Sequence, residues 1–129
     1  FSVSRDSRFA KSGTHSLHIK GMHESENRTA AKVKLETEAA DKYLTMSMRG
    51  SGSISLRVRR PQGAWVYYNA PDFTQSKSAR YKKWSSVNSW TNIKIPLPAG
   101  AQNAQDVDIE LRSGKGEVIS VWIDQVRLK

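Results

Sequence analysis

Arg57 and Arg59 stand two residues apart in the stretch Ser53 to Arg60, SISLRVRR. Ile54, Leu56 and Val58 alternate with Ser55, Arg57 and Arg59, the period-two pattern of a strand with one buried face. The arginines then stand side by side on the other face, like charges roughly 6 to 7 Å apart. Such a row suits a face that meets anions, because each guanidinium offers a planar fork for carboxylate or sulfate. A basic, solvated strand that resists edge pairing is the alternative reading of the same residues.

Other residue types extend or exclude chemistry. Asp108 and Glu110 also share one strand face, with Arg112 beside them. A carboxylate pair can serve glycoside hydrolysis when it straddles a sugar. Beside Arg112 and basic strands, this pair is expected to form salt bridges or to accept hydrogen bonds from sugar hydroxyls. His15 and His18 differ by three positions on a strand, which points them to opposite faces and argues against a transition-metal site. The chain has no cysteine, so disulfides, zinc–thiolate sites and cysteine nucleophiles are excluded. GxSxG, HExxH and P-loop patterns are also absent. No catalytic residue is assigned.

The aromatic residues suit binding. Trp65 and Tyr67 fall on one strand face, and Val66 and Tyr68 on the other. Sugars lay apolar C–H faces on aromatic rings, and the phenols of Tyr43 and Tyr67 can pack and still donate a hydrogen bond. Trp90 and Trp122 are expected in the core; Trp65 and Trp84 fit either core or cleft.

The elements that must position these residues are short strands. The 129 residues fit one domain with a real core, here taken as 1–129. Hydrophobic residues make up 37% and charged residues 26%, a globular composition with no apolar run long enough to span a membrane. The chain begins at Phe1 without a methionine, and it is read as a module cut from a longer protein. The net charge of +9 favours a polyanionic partner.

Along the chain, Phe1 to Phe9 reads as extended, and Ser16 to Lys20, Arg28 to Leu35 and Tyr43 to Arg49 as alternating strands. Lys32 and Lys34 point outward from the second of these. Gly50-Ser51-Gly52 is a hairpin signal, so the Tyr43 and Ser53 strands are expected to be neighbours joined by a tight turn. Further strands follow at Trp65 to Asn69, Arg80 to Trp84, Trp90 to Leu97, Asp106 to Arg112 and Val118 to Leu128. About nine or ten short strands at roughly 8 to 12 residue spacing predict an all-β antiparallel sandwich.

Several stretches resemble a known family in its order. Ala10 to Ile19, AKSGTHSLHI, resembles the "a-sG-hSL-i" opening of jelly-roll carbohydrate-binding modules, and Tyr43 to Arg49 resembles their "Y-l-s-m" strand. Trp84 to Leu97 is similar to their "W-…-W-k-i-i-l" segment, and VWIDQVRL, Val121 to Leu128, to their closing "iDdV-l" strand. Such modules are appended to polysaccharide hydrolases and lyases. The resemblance implies a jelly roll whose outward residues on the Tyr43 strand, its partner and the penultimate strand line a concave sheet. Carried onto this chain, that gives Tyr43 and Arg49, Arg57 and Arg59, and Asp108, Glu110 and Arg112, with Trp65 and Tyr67 as walls. It also implies a structural calcium held near Asp124, Ser12 in the turn, and Asp6. The chain departs from the family in lacking the acidic opening strand; its first acid is Asp6.

The function expected is non-catalytic binding of an acidic polysaccharide (uronate, pyruvylated or sulfated) by a secreted or cell-surface monomer linked to a glycan-degrading enzyme. Two readings from other classes stay open: a nucleic-acid-binding β-domain and a structural sandwich between domains. Against the first, the aromatics do not interleave with the arginines on one strand. Tethering would raise the enzyme's local concentration at its substrate.

Overall fold

The computed structural model describes residues 2–6, 16–22, 28–36, 42–60, 63–98 and 106–129. These form β1 (Ser2–Asp6), β2 (Ser16–Gly21), β3 (Arg28–Glu36), β4 (Tyr43–Arg59), β5 (Val66–Asn69), β6 (Thr74–Ser76), β7 (Lys82–Pro96), β8 (Asp106–Ser113) and β9 (Ile119–Leu128). Every pairing between them is antiparallel. None of the described residues is helical, so no helix is long and apolar enough to cross a membrane.

β4 organises the sandwich. Its first half lies between β9 and β7, with Met48 opposite both Ile123 and Thr91. Its second half lies between β8 and β5, with Arg57 opposite both Glu110 and Tyr67. The first half thus completes a layer ordered β1-β2-β9-β4-β7, and the second a layer ordered β3-β8-β4-β5-β6. Alternation along β4 turns Leu44, Met46, Met48, Ile54, Leu56 and Val58 inward, where they join Ile19, Val121 and Ile119 from one layer and Tyr68, Ile109 and Leu111 from the other. One continuous apolar core results.

The expected hairpin at Gly50-Ser51-Gly52 does not form. The chain runs straight through these residues as one 17-residue strand. The glycines answer a different need. At Gly50 (φ +119°) a Cβ would sit 2.1 Å from the carbonyl oxygen of Ser120, and at Gly52 (φ +155°) 2.4 Å from Cγ2 of Ile119. Here β4 passes from one layer to the other against the start of β9, and only a residue without a side chain allows that approach.

Two further strand expectations merge in the same way. The strands expected at Arg80 to Trp84 and Trp90 to Leu97 merge into the single strand β7 (Lys82–Pro96), whose register against β4 jumps between Met48↔Thr91 and Gly50↔Ser86. Residues 87–90 are the excess, looped out as a wide bulge. Trp84 lies on the core side of it, 5% exposed, with Phe73 edge-on at 6.4 Å between ring centroids. Trp90 and Trp122, expected in the core, are only half-buried. Trp122 follows inward-facing Val121 and so turns to the outer face, where its ring stacks on His18 at 4.0 Å and 5°. His18 in turn holds the Ser120 hydroxyl at 2.8 Å.

Alternation along β2 and β3 turns Leu17 and Val33 to the same side as Ile19 and Leu35, yet they are 42% and 44% exposed. Both border a cavity of about 470 Å³ between the layers, lined also by Leu35, Met46, Leu56, Ile109 and Ile123.

Candidate functional site

Pairing across the β3-β8-β4-β5 layer sets rows of side chains on its outer face, because residues opposite one another point the same way. The first row runs Lys34, Asp108, Arg59, with Trp65 just ahead of β5 at its end. The second runs Lys32, Glu110, Arg57, Tyr67. The third runs Thr29, Arg112, Ser55, Asn69. Neighbouring residues in a row come from strands about 4.8 Å apart, within reach of long side chains.

The polar groups of this face form a closed lattice. Arg57 donates from Nη2 and Nε to Oε1 of Glu110 at 2.6 and 2.9 Å. The Thr29 hydroxyl donates to the same oxygen and accepts from Nη1 of Arg112 at 3.0 Å. Arg112 also donates from Nε to the Tyr81 hydroxyl at 3.1 Å, and its Nη1 lies 3.9 Å from Glu110 Oε1. In the first row, Arg59 Nε donates to Asp108 Oδ2 at 3.2 Å, with Lys34 Nζ 3.7 Å from Oδ1. Both guanidiniums of β4 also lie against the indole of Trp65, their Cζ atoms 4.0 Å (Arg57) and 4.3 Å (Arg59) from the ring centroid. This is cation–π geometry.

Burial pushes the Glu110 carboxyl up, but hydrogen bonds from Thr29 and Arg57 and the charges of Arg57 and Arg112 outweigh it and hold the group below the usual carboxylate range. The carboxyl is ionised at neutral pH. Among the described side chains, the face carries five cations (Lys32, Lys34, Arg57, Arg59 and Arg112) against two carboxylates. These groups keep a surplus of positive charge after their internal pairing.

The third row closes one end of the face. Ser55, expected outward, is fully buried and donates to Asn69 Oδ1 at 2.6 Å. Asn69 also receives the Arg80 amide at 3.0 Å and donates to the Ser78 carbonyl at 3.0 Å. The segment Ser78 to Tyr81 is thus pinned across that end.

The structure brings Arg57, Arg59, Trp65, Tyr67, Asp108, Glu110 and Arg112 onto one face. It places Tyr43 and Arg49 elsewhere. Without the hairpin, the first half of β4 belongs to the other layer, and both residues lie on that layer's outer face. There Lys94 Nζ stands 4.2 Å over the Tyr43 ring, and Arg49 is opposite Trp122 and donates to the Val87 carbonyl. Lys32, Lys34, Thr29 and Tyr81 join the face without having been assigned to it. Lys32 and Lys34 read as outward in the sequence, but nothing local shows that β3 pairs with β8.

Of the calcium residues, Ser12 lies outside the described residues, as does the side chain of Asp6. Asp124 Oδ1 accepts the amide of Gln125 at 2.8 Å, and Gln125 has φ 55°. This is a cap on the irregularity where β4–β9 register shifts between Thr45 and Ser47. Among the described residues no cluster of three or more acidic or metal-binding side chains exists. One carboxylate does not fit an ion that takes six to eight oxygens, so the described residues by themselves do not build a calcium site.

No family model and no curated protein matches the chain. Solved structures do. A β-sandwich superfamily structure from work on promiscuous carbohydrate-binding modules aligns over 99% of this chain and 52% of its own, at 14% identity and TM-score 0.58. The chain thus spans about half the length of that protein. The CBM22-1 xylan-binding domain of Paenibacillus barcinonensis Xyn10C aligns over 98% of this chain and 80% of its own, at 14% identity and TM-score 0.58. TmCBM61, solved with β-1,4-galactotriose, aligns over 99% and 86%, at 15% identity and TM-score 0.57. The chain has the β-sandwich fold of these carbohydrate-binding modules.

Proposed function

We propose that this domain is a non-catalytic glycan-binding module that holds an acidic polysaccharide on the outer face of the β3-β8-β4-β5 layer. The observation that carries this reading is the composition of that face among the described side chains: five cations, two carboxylates and two half-buried aromatic rings on adjacent strands. Arg57, Arg59, Asp108 and Glu110 supply planar donors and acceptors for sugar hydroxyls, and Trp65 and Tyr67 supply the apolar edge. The surplus of positive charge favours uronate, pyruvylated or sulfated chains over neutral ones. The carboxylates serve as hydrogen-bond acceptors in a salt-bridged lattice, not as an acid–base pair. The fold shared with xylan- and galactotriose-binding modules supports the glycan reading. In this account the domain is exported and linked to a polysaccharide lyase or hydrolase, which it keeps near its substrate.

Affinity electrophoresis through gels cast with neutral or acidic polysaccharides tests the proposal. Retardation in acidic gels, weakened by Arg57→Ala or Arg59→Ala, is expected. Retardation only by neutral β-glucans, indifferent to both substitutions, would sink the acidic assignment. Binding of single-stranded oligonucleotides alone, with a steep salt dependence, would replace it with a nucleic-acid role.

A further inference from the structure

We infer that Lys32 and Lys34 of β3 read the acidic groups of the ligand, while the arginines hold its hydroxyls; this rests on the glycan-binding reading above. What separates these cations is which already face a carboxylate: each guanidinium keeps N–H donors for hydroxyls, but its charge is matched within the face. Arg57 spends Nε and Nη2 on Glu110, with both side chains largely buried at 18% and 14% exposure. Arg59 is paired to Asp108 and laid against Trp65. Arg112 donates to Tyr81 and Thr29 and lies 3.9 Å from Glu110. A ligand carboxylate that took Arg57 would leave Glu110 half-buried without its main partner, at an energetic cost that cancels the gain.

Lys32 carries no such pairing among the described residues, and Lys34 only a long, exposed one. Lys32 is exposed and makes no hydrogen bond or ion pair among the described residues. Lys34 is 64% exposed and lies 3.7 Å from Asp108, which Arg59 already holds. Among the described residues β3 pairs with β8 alone, which sets both on an edge strand, and they repeat at about 6.7 Å along it. Three strand steps, about 14 Å, separate them from the Trp65–Tyr67 side. That distance exceeds a single sugar ring, so the ligand is an acidic oligosaccharide lying across the strands.

The test uses a panel of uronate and sulfated oligosaccharides, each paired with its carboxyl-reduced or desulfated form, titrated calorimetrically against the wild-type domain and the Lys32→Gln/Lys34→Gln double variant. A Lys20→Gln/Arg127→Gln variant, of equal net charge and changed on the other layer, serves as control. The double variant is expected to bind the acidic form about tenfold more weakly, with a shallower salt dependence, and to keep its affinity for the neutralised form; the control is expected to match wild type. Lysines that merely protect an edge from pairing would leave the acidic affinity unchanged, and that result overturns the inference. Equal weakening on both forms, or by the control, also overturns it while leaving glycan binding intact. Failure of the wild type to bind any member of the panel overturns the parent reading as well.

Discussion

Arg57 and Glu110 face each other across the β4–β8 pairing, joined by two hydrogen bonds from one guanidinium to one carboxylate oxygen, at 2.6 and 2.9 Å. Removing either partner leaves the other partly desolvated and under-paired. Arg57→Ala and Glu110→Ala should each cost about 2 kcal/mol. The double substitution should cost less than their sum by about 1 kcal/mol. Denaturant unfolding of the four proteins measures the coupling; strict additivity would show the pair to be incidental.

The same lattice predicts a pH dependence. The folded-state pKa of Glu110 is depressed, so its contribution to stability is present above the unfolded value and is lost as pH falls through the folded one. The unfolding midpoint should therefore drop below the ordinary carboxylate range more steeply in wild type than in Glu110→Gln. Denaturation curves at neutral and acid pH give the difference, and parallel behaviour of the two proteins would contradict it.

At the layer crossing, Gly50→Ala should cost about 3 kcal/mol or more, because the new Cβ would meet backbone 2.1 Å away in a left-handed conformation. Gly116 is also left-handed, at φ +74°, but faces open space. Gly116→Ala should cost about 1 kcal/mol. Thermal melts that rank the two equally would contradict the steric account.

Asp124 caps the Gln125 amide at 2.8 Å. Asp124→Ala should cost about 1 kcal/mol of stability, by the same amount in calcium and in chelator. A chelator-induced loss of stability in wild type that vanishes in Asp124→Ala would instead establish a metal at this position.

Much of the fold is legible in the sequence because alternation is local. VYYN places Val66 and Tyr68 opposite Trp65 and Tyr67, as found; the same alternation in VWID sets Val121 in and Trp122 out, against the core expectation for that tryptophan. What local pattern cannot supply is which strands pair across long stretches of chain. Lys32 joins the site through a partner 78 positions away, Glu110, and no feature of β3 announces that. Glycines are ambiguous for a related reason. Gly50-Ser51-Gly52 suits a reversal and suits close passage beside another strand, and the choice depends on Ile119 and Ser120, which are distant in sequence. A reversal there would set Tyr43 and Arg49 beside Arg57 and Arg59; the continuous strand sets them on the other layer. The bulge at residues 87–90 similarly broke the parity that would have sorted Trp84 from Trp90.

The central claim is that one face of the sandwich binds an acidic glycan, and the two layers each carry a tryptophan on their outer side with which to ask it. Affinity electrophoresis in acidic polysaccharide gels should show Trp65→Ala weakening retention by about tenfold or more, with Trp122→Ala migrating like wild type. Loss of retention on Trp122→Ala with Trp65→Ala unaffected would place the ligand on the opposite layer and contradict the account.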